Sequence, residues 1–283
     1  MKIAYLGPEG SYTHAAAINV FGMKETLVPM SNISSIISDL ALALVDQAII
    51  PVENSIAGGV AETIEALQKS ENLFVTSEYV LPIQHHLLAA KNTIKKNQLD
   101  QVKYISLHNM TLGQCLDYIR SKMPNAEILP ATSNSAAAKE LANLQKEGKD
   151  VSNHVVIAPK LCAEIYDLEI LDDSVSDSKI NETRFWIVSK SQSKFNPAAK
   201  NKTTIVFQTK DEPGSLQTVL RLFAVNHVNL SRIESRPAKK QIGEYMFLID
   251  FDLHIEDKKY DDLMRQAKQQ FTYYKWLGSY STI

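Results

Sequence analysis

Cysteine is scarce: Cys115 and Cys162 are the only two among 283 residues, and neither belongs to a CxxC pair or a Cys/His cluster. A disulfide scaffold and a structural zinc site are therefore excluded as organising principles. Both cysteines fall at apolar helical positions, which reads as small buried side chains rather than reactive thiols. Long apolar runs are missing as well. No stretch approaches the roughly 18 residues that a membrane-crossing helix needs. The apolar start of the chain is cut by Gly7-Pro8 before it reaches signal-peptide length. Neither charge sign dominates: 30 basic and 32 acidic residues give a formal net charge of -2. Nothing in that balance attracts nucleic acid or an anionic membrane. GxGxxG and GxxxxGK[ST] are both absent, so dinucleotide and triphosphate sites lack their signatures. These absences lead us to expect a cytoplasmic protein that acts on small molecules.

What is present fits a soluble globular chain, 45% hydrophobic and 22% charged, with length for about two domains. Up to about Lys190, strand-like and helix-like patterns alternate, predicting an α/β region with a largely parallel sheet. Expected strands are Lys2 to Leu6, Gln47 to Val52, Val102 to Leu107, Glu127 to Ala131 and His154 to Ala158. Stripes such as Ile33, Ile36, Ile37, Leu40 and Leu44, or Leu112, Leu116, Ile119 and Met123, have the spacing of one apolar helix face. Residues 189 to 202, SKSQSKFNPAAKNK, are polar and aperiodic and read as a linker. Beyond it the order βαββαβ over residues 203 to 283 predicts a ferredoxin-like domain.

Ligands of open parallel sheets bind beyond the carboxyl ends of the strands, so the strand-to-helix loops carry the chemistry. Polar groups crowd there: Gly7 to Thr13, with Ser11 and Thr13; Glu53-Asn54-Ser55; Leu107-His108-Asn109; and Thr132-Ser133-Asn134-Ser135. Each precedes a helical segment and so aims free N–H groups and a positive dipole end at one cleft, which suits a carboxylate or phosphate. The same residues also read as plain helix N-caps. A further motif, Asn181-Glu182-Thr183-Arg184-Phe185, sets an arginine between a hydroxyl and an aromatic ring. That arginine reads either as a bidentate carboxylate clamp or as a solvated surface residue.

Taken together, GPEGSYTHAAA at 7 to 17, PVENSIAGGV at 51 to 60, LPIQHHLL at 81 to 88, HNMTLGQC at 108 to 115, ATSNSAAA at 131 to 138 and NETRFWIV at 181 to 188 resemble the prephenate dehydratases. DEPGSLQTVLRLFAVNHVNLSRIESRP at 211 to 237 resembles their ACT regulatory domain. The resemblance implies a catalytic region, residues 1 to 188, with two α/β lobes like those of type II periplasmic binding proteins, the lobes being roughly 1 to 78 with 160 to 188, and 79 to 159. It implies loss of water and carbon dioxide from prephenate to give phenylpyruvate, with no metal and no organic cofactor. Thr183 would assist departure of the hydroxyl. Ser11, Thr13, Glu53, Asn54, Ser55, Gln114, Thr132, Ser133 and Asn181 would line the cleft, Arg184 would anchor a carboxylate or orient its loop, and Phe185 would pack there. Glu53, placed beside a dianion, would be protonated or would orient Asn54 from behind. The family pattern Ser-His-Pro-Gln is here Leu107-His108-Asn109-Met110, which removes a hydroxyl that Ser106 or Asn109 would have to replace. His108 and His85 each read as ligand-facing or structural.

In the regulatory half, the resemblance assigns Gly214, Ser215, Leu216, Asn229, Leu230, Glu234, Ser235, Arg236 and Pro237 to a phenylalanine site, and implies a homodimer or homotetramer. Two rivals stay open at this stage: arogenate dehydratase, and a non-catalytic sensor of aromatic metabolites.

Overall fold

The structure is a computed structural model and describes residues 1–238 and 245–283. The chain opens with β1 (Lys2–Leu6), α1 (Tyr12–Phe21), β2 (Thr26–Met30), α2 (Ile33–Ala41), β3 (Gln47–Asn54), the short β4 (Gly58–Gly59), α3 (Ala61–Lys69) and β5 (Phe74–Pro82). It then builds a second lobe from β6 (His86–Ala90), β7 (Tyr104–Leu107), α4 (Asn109–Leu112), α5 (Leu116–Lys122), β8 (Glu127–Pro130), α6 (Asn134–Lys146), β9 (His154–Ala158), α7 (Lys160–Tyr166) and β10 (Leu168–Asp172). β11 (Glu182–Ser189) returns to the first lobe between β3 and β5, antiparallel to both. Parallel pairing holds for β1 with β2 and β3 and for β7 with β8 and β9, so the expected parallel sheets are in fact mixed.

The lobe boundary differs from the expected one. β10 pairs antiparallel with β6, and Cys162 and Ala163 of α7 pack with Leu88, Ala137 and Leu141. Residues 160 to 172 thus belong to the second lobe, and the crossing back comes at 173 to 181. The two crossovers, 83 to 85 outward and 173 to 181 inward, hydrogen-bond to each other: Ile83 N donates to Asn181 O (2.7 Å) and Val175 N to His85 O (2.8 Å).

Local chemistry explains the helices. Ser11, Asn32 and Ser133 each accept a backbone N–H three residues on and so cap α1, α2 and α6. Ile33, Ile36, Ile37 and Leu40 form the predicted buried stripe of α2. Leu44 lies beyond that helix and is exposed.

After the linker come β12 (Asn201–Thr209), α8 (Ser215–Val225), β13 (Leu230–Pro237), β14 (Tyr245–Phe251), α9 (Asp261–Gln269) and β15 (Phe271–Thr282). The order β13-β14-β12-β15 is that of a split βαβ sheet. Strand alternation gives this sheet two apolar faces. Ile205, Phe207, Ile249 and Phe251 meet α8 and α9 through Val219, Phe223, Leu263 and Met264. Val206, Leu248, Leu277 and Tyr280 face the other way and join one core with Ile50, Val52, Ile64 and Trp186 of the first lobe. A fully buried aliphatic side chain contributes roughly 1.5–3 kcal/mol, so this junction is held as a core rather than as a surface contact. β15 runs five residues past its expected end at Leu277, and Ser281 and Thr282 pair in parallel with Ser77 and Glu78 of β5. The two sheets become one at that point. Gly278 makes the approach possible, because a Cβ there would lie 2.2 Å from the Val75 carbonyl oxygen.

Candidate active site

Loops from both lobes meet around a cavity of about 310 Å³, lined by Gly7, Ser11 and Tyr12 from the first lobe and by His108, Thr132 and Ser133 among others from the second. The capping hydroxyls of Ser11 and Ser133 place the N-terminal ends of α1 and α6 at this cavity. Asn134 braces the second-lobe wall by accepting the His108 N–H (2.9 Å) and donating to the Thr111 hydroxyl (2.7 Å). His108 Nδ1 accepts the Met110 N–H and so caps α4. Thr13 is buried on α1 and does not line the cavity. Leu107 is buried in the second-lobe core, and Ser106 does not take over the missing hydroxyl, because it bonds His154 Nε2 (2.7 Å) beside a different cavity.

Next to the cavity a chain of polar side chains runs Tyr12, His85, Gln114, Asn181, Asn54, Thr183, and its polarity follows from one end. Asn54 Oδ1 accepts the backbone N–H groups of Ile56 (3.0 Å) and Ala57 (2.9 Å). Backbone N–H groups only donate, so the Asn54 amide nitrogen is turned the other way. It donates toward Asn181 Oδ1 (2.8 Å), Thr183 Oγ1 (2.9 Å) and the Glu182 carbonyl (3.0 Å). With Asn181 Oδ1 fixed as an acceptor, its Nδ2 donates to Gln114 Oε1 (3.0 Å), which also lies 2.7 Å from His85 Nε2. Both groups facing that oxygen must donate. Nε2 of His85 therefore carries a proton, and the single proton of the Tyr12 hydroxyl is shared between His85 Nδ1 at 2.6 Å and the Gln84 carbonyl oxygen at 2.8 Å. Burial lowers the His85 pKa and favours the neutral form. The consequence lies at the far end. Thr183 Oγ1 accepts from Asn54, and among the described residues no acceptor takes its own proton.

Strand alternation separates residues that stand side by side in sequence. Thr183 pairs with Asn54 and Arg184 with Glu53, so the two pairs occupy opposite faces of the β3–β11 ladder. Arg184 does not reach the cleft, which corrects its expected role as a carboxylate anchor. It points at the βαββαβ domain, donating from Nη1 to Asp250 Oδ2 (2.7 Å) and Glu78 Oε2 (3.3 Å), and from Nη2 to Glu53 Oε2 (2.9 Å). Glu53 is likewise no cleft residue; it meets Arg184 and approaches Arg232 Nε at 4.0 Å. Burial pushes the Glu78 carboxyl up, but the Lys202 ammonium (2.6 Å), the Thr282 hydroxyl and Arg184 outweigh it and hold the pKa below its ordinary value. Phe185 is buried among Tyr5, Ala16, Ala17 and Ile49 beneath α1 instead of packing in the cleft. Ser55 latches β3 to β11, accepting the Glu182 N–H at 3.0 Å. Tyr12, Asp250, Glu78 and Arg232 carry no local motif that marks them; only the strand period signals that the face opposite Thr183 needs partners.

Residues 3–193 match the family model described as prephenate dehydratase, and residues 203–268 match that of the ACT domain. The chain belongs to the prephenate dehydratase family. A Bacillus subtilis protein named prephenate dehydratase is 30% identical over 289 residues, covering 100% of this chain and 99% of its own. The solved structure of prephenate dehydratase from Arthrobacter aurescens in complex with L-Phe superposes with a TM-score of 0.88 at 31% identity, over 99% of this chain and 90% of that one. Another solved structure, described as a quorum-quenching acylase, superposes with a TM-score of 0.87 at 25% identity, over 100% of this chain and 98% of that one.

The ACT domain divides its expected ligand residues between two faces. Gly214, in the left-handed region at φ 86°, starts α8, and Ser215 and Leu216 line a cavity with Tyr245 and Phe247 on the helix-covered face. Ser235 pairs with Phe247 and shares that face. Glu234 and Arg236 pair with Leu248 and Met246 and face the catalytic lobe instead. There Glu234 accepts from Arg232 (2.7 Å) and Arg236 (2.6 Å), and Arg236 donates to the Ala61 carbonyl (3.0 Å). Burial raises the Glu234 pKa, and the two arginines outweigh that and leave it below its ordinary value. Pro237 borders the same cavity as Glu234 and Arg236. Asn229 bonds Asp252 (2.8 Å) and Leu230 pairs with Phe251, so both tie β13 to β14. Within one chain, the Gly214 and Glu234 segments therefore do not meet around one cavity.

Proposed function

We propose that the protein catalyses the decarboxylating dehydration of prephenate to phenylpyruvate in the cleft between its lobes, with Thr183 assisting departure of the ring hydroxyl. The observation that carries this reading is the polarity of the Asn54–Thr183 bond, which leaves the Thr183 proton free for an oxygen outside the protein. The ring carboxylate leaves as carbon dioxide, its C–C electron pair completes the aromatic ring, and the C–O bond breaks. The departing oxygen ends as water, so one proton is consumed. A threonine hydroxyl is too weak an acid to give up its proton outright, so its role is to hydrogen-bond the oxygen as negative charge develops, and solvent supplies the proton. No lysine or arginine is among the residues that line the described cavity. The carboxylates are held by hydroxyls and by the N-terminal ends of α1 and α6.

Phenylalanine binding at the ACT domain regulates the reaction, with Gly214, Ser215, Leu216 and Ser235 offering one chain's share of the site. A second copy of the chain docks along the free edge of β13, where Ile233 is 51% exposed. The protein works in the cytoplasm; no helix among the described residues is long and apolar enough to cross a membrane.

The test is incubation of the purified protein with prephenate, with arogenate, and with an N-acylated amine. Phenylpyruvate from prephenate is expected. Turnover of arogenate alone, or hydrolysis of the acyl compound alone, would transfer the assignment, and silence with all of them would leave a binding protein. Thr183→Ala is expected to lower kcat about 100-fold or more with little change in binding, while Thr183→Ser keeps most activity.

A further inference from the structure

Gln114 is held by its oxygen alone. Oε1 accepts from His85 Nε2 at 2.7 Å and from Asn181 Nδ2 at 3.0 Å, and among the described residues no acceptor meets Nε2. His85 sits in the outward crossover and Asn181 at the end of the inward one, so both links between the lobes converge on one second-lobe side chain. The backbone agrees, because Asp177 of the inward crossover donates its N–H to the Gln114 carbonyl at 2.8 Å. With its oxygen pinned twice, the amide cannot turn over without setting N–H against N–H. Its nitrogen must face the opposite, half-exposed side.

We propose that His85 is a positioning residue for the substrate: by donating from Nε2 it fixes which end of the Gln114 amide faces the cleft. The cleft then receives two N–H donors aimed at a carboxylate or keto oxygen. An amide free to flip would offer its oxygen, which repels a carboxylate. The order is substrate, Gln114, His85, Tyr12, and His85 touches no substrate itself. The proposal rests on the dehydratase reading for the identity of the ligand, and on hydrogen-bond geometry alone for the orientation of the amide.

The test compares the full-length protein with His85→Leu, which keeps apolar bulk, and His85→Gln, which keeps an N–H near the Nε2 position. Thermal melts first establish that each variant folds. A hydrogen bond to a charged group is worth roughly 1.5–3 kcal/mol, so KM for prephenate is expected to rise about tenfold or more in His85→Leu. kcat should change less, and His85→Gln should restore most of the loss. Unchanged KM in folded His85→Leu overturns the proposal, as does an equal rise in both variants, which would mean packing alone. Should His85→Leu not fold, Gln114→Glu takes its place: it keeps both incoming bonds while setting an anionic oxygen where the amide nitrogen was. A normal KM there is equally fatal. A ¹⁵N-histidine spectrum of the wild type gives a readout independent of turnover, with the His85 signal assigned by its loss in His85→Gln. The neutral Nε2–H tautomer is expected, and an Nδ1–H tautomer refutes the positioning role. Failure to turn over prephenate while the Nε2–H tautomer is present would instead count against the dehydratase reading.

Discussion

Arg184→Met distinguishes a clamp on the substrate from a rivet between domains. The structure puts the guanidinium against three carboxylates that differ in what they keep once it is gone. Glu53 is 40% exposed at its side chain and regains water. Glu78 retains Lys202 at 2.6 Å and the Thr282 hydroxyl at 2.7 Å. Asp250 is fully buried and, among the described residues, its carboxylate keeps only the Thr204 hydroxyl at 2.7 Å. The cost therefore concentrates on Asp250, a buried charge left without a counter-ion, and removing one member of such a pair costs about 3–5 kcal/mol. Removing both members is milder: in Arg184→Met with Asp250→Leu, the Thr204 and Tyr280 hydroxyls still bond each other at 2.7 Å. The double variant is expected to recover about half of the loss, because no unpaired buried charge remains.

Urea unfolding at fixed chain concentration measures both effects, with Trp186 in the catalytic lobe and Trp276 in β15 reporting the two sides of the junction. Prephenate kinetics are measured alongside at low temperature, where every variant is folded. kcat/KM of Arg184→Met should stay within about threefold of wild type, since the side chain makes no contact in the cleft. A destabilisation below about 1 kcal/mol, or a large rise in KM without destabilisation, would return Arg184 to the carboxylate-anchor role and refute the rivet.

Asn54→Asp tests the polarity of the Thr183 hydroxyl: the new carboxylate still accepts from Ile56 and Ala57 but cannot donate, so Thr183 donates to it instead and kcat is expected to fall about 100-fold; a near-normal kcat would remove the polarity argument. Acid should destabilise the fold in two stages. Burial lowers the pKa values of His14, His85, His154 and His254 from 6.5, so the unfolded chain binds more protons and stability declines as pH falls below about 6.5. Glu78 and Glu234 lie below 4.5 in the fold, so their contribution is complete above 4.5 and is lost as pH falls through their lowered values. Melting temperatures from pH 8 to 4 check this, and stability rising between pH 7 and 5.5 would contradict it. Burial pushes the Cys115 and Cys162 thiols up to about 12 and about 11, so neither should react with a thiol reagent at pH 8 until the chain is denatured; rapid labelling of the native protein would show that the lobes open widely.

Periodic stretches were legible. β1, β3 and β7 end where apolar runs meet polar clusters, β9 falls on its expected run, and α2 follows its stripe from Ile33 to Leu40 but stops before Leu44. β6 shows no strand signal because HLLAA is buried on both faces and carries no alternation, and β2 shows little because Pro29 interrupts a run that is only partly buried. The misplaced lobe boundary has a different cause. Nothing local in LEILD says that it pairs with residues 86–90 rather than with the first sheet, since that contact is set by three-dimensional closure. Ser11, Thr132 and Ser133 were readable because strand-end loops and helix starts are local features. The NETRF motif sets Arg184 beside Thr183 in sequence, but the strand period sends the two side chains to opposite faces, so local spacing carries no sign of the arginine's partners.

The motifs ENS and TRF make better sense as two-faced strands than as one polar lining. Asn54 and Thr183 share one face of the β3–β11 ladder, and Glu53 and Arg184 share the other. A slip of one residue in this pairing would exchange the faces, setting an ion pair beside the substrate and an amide with a hydroxyl against Asp250. Each face guards against that error for the other. The charged pair finds its buried partners only on the ACT side, and the Asn54 amide finds Asn181 only on the cleft side. The register shift between Arg184 and Phe185 then lets the rest of β11 bury Phe185, Trp186 and Val188 without disturbing the two pairs above it. Chemistry and domain attachment are thus specified by four residues of one ladder, each pair acting on its own side of the sheet.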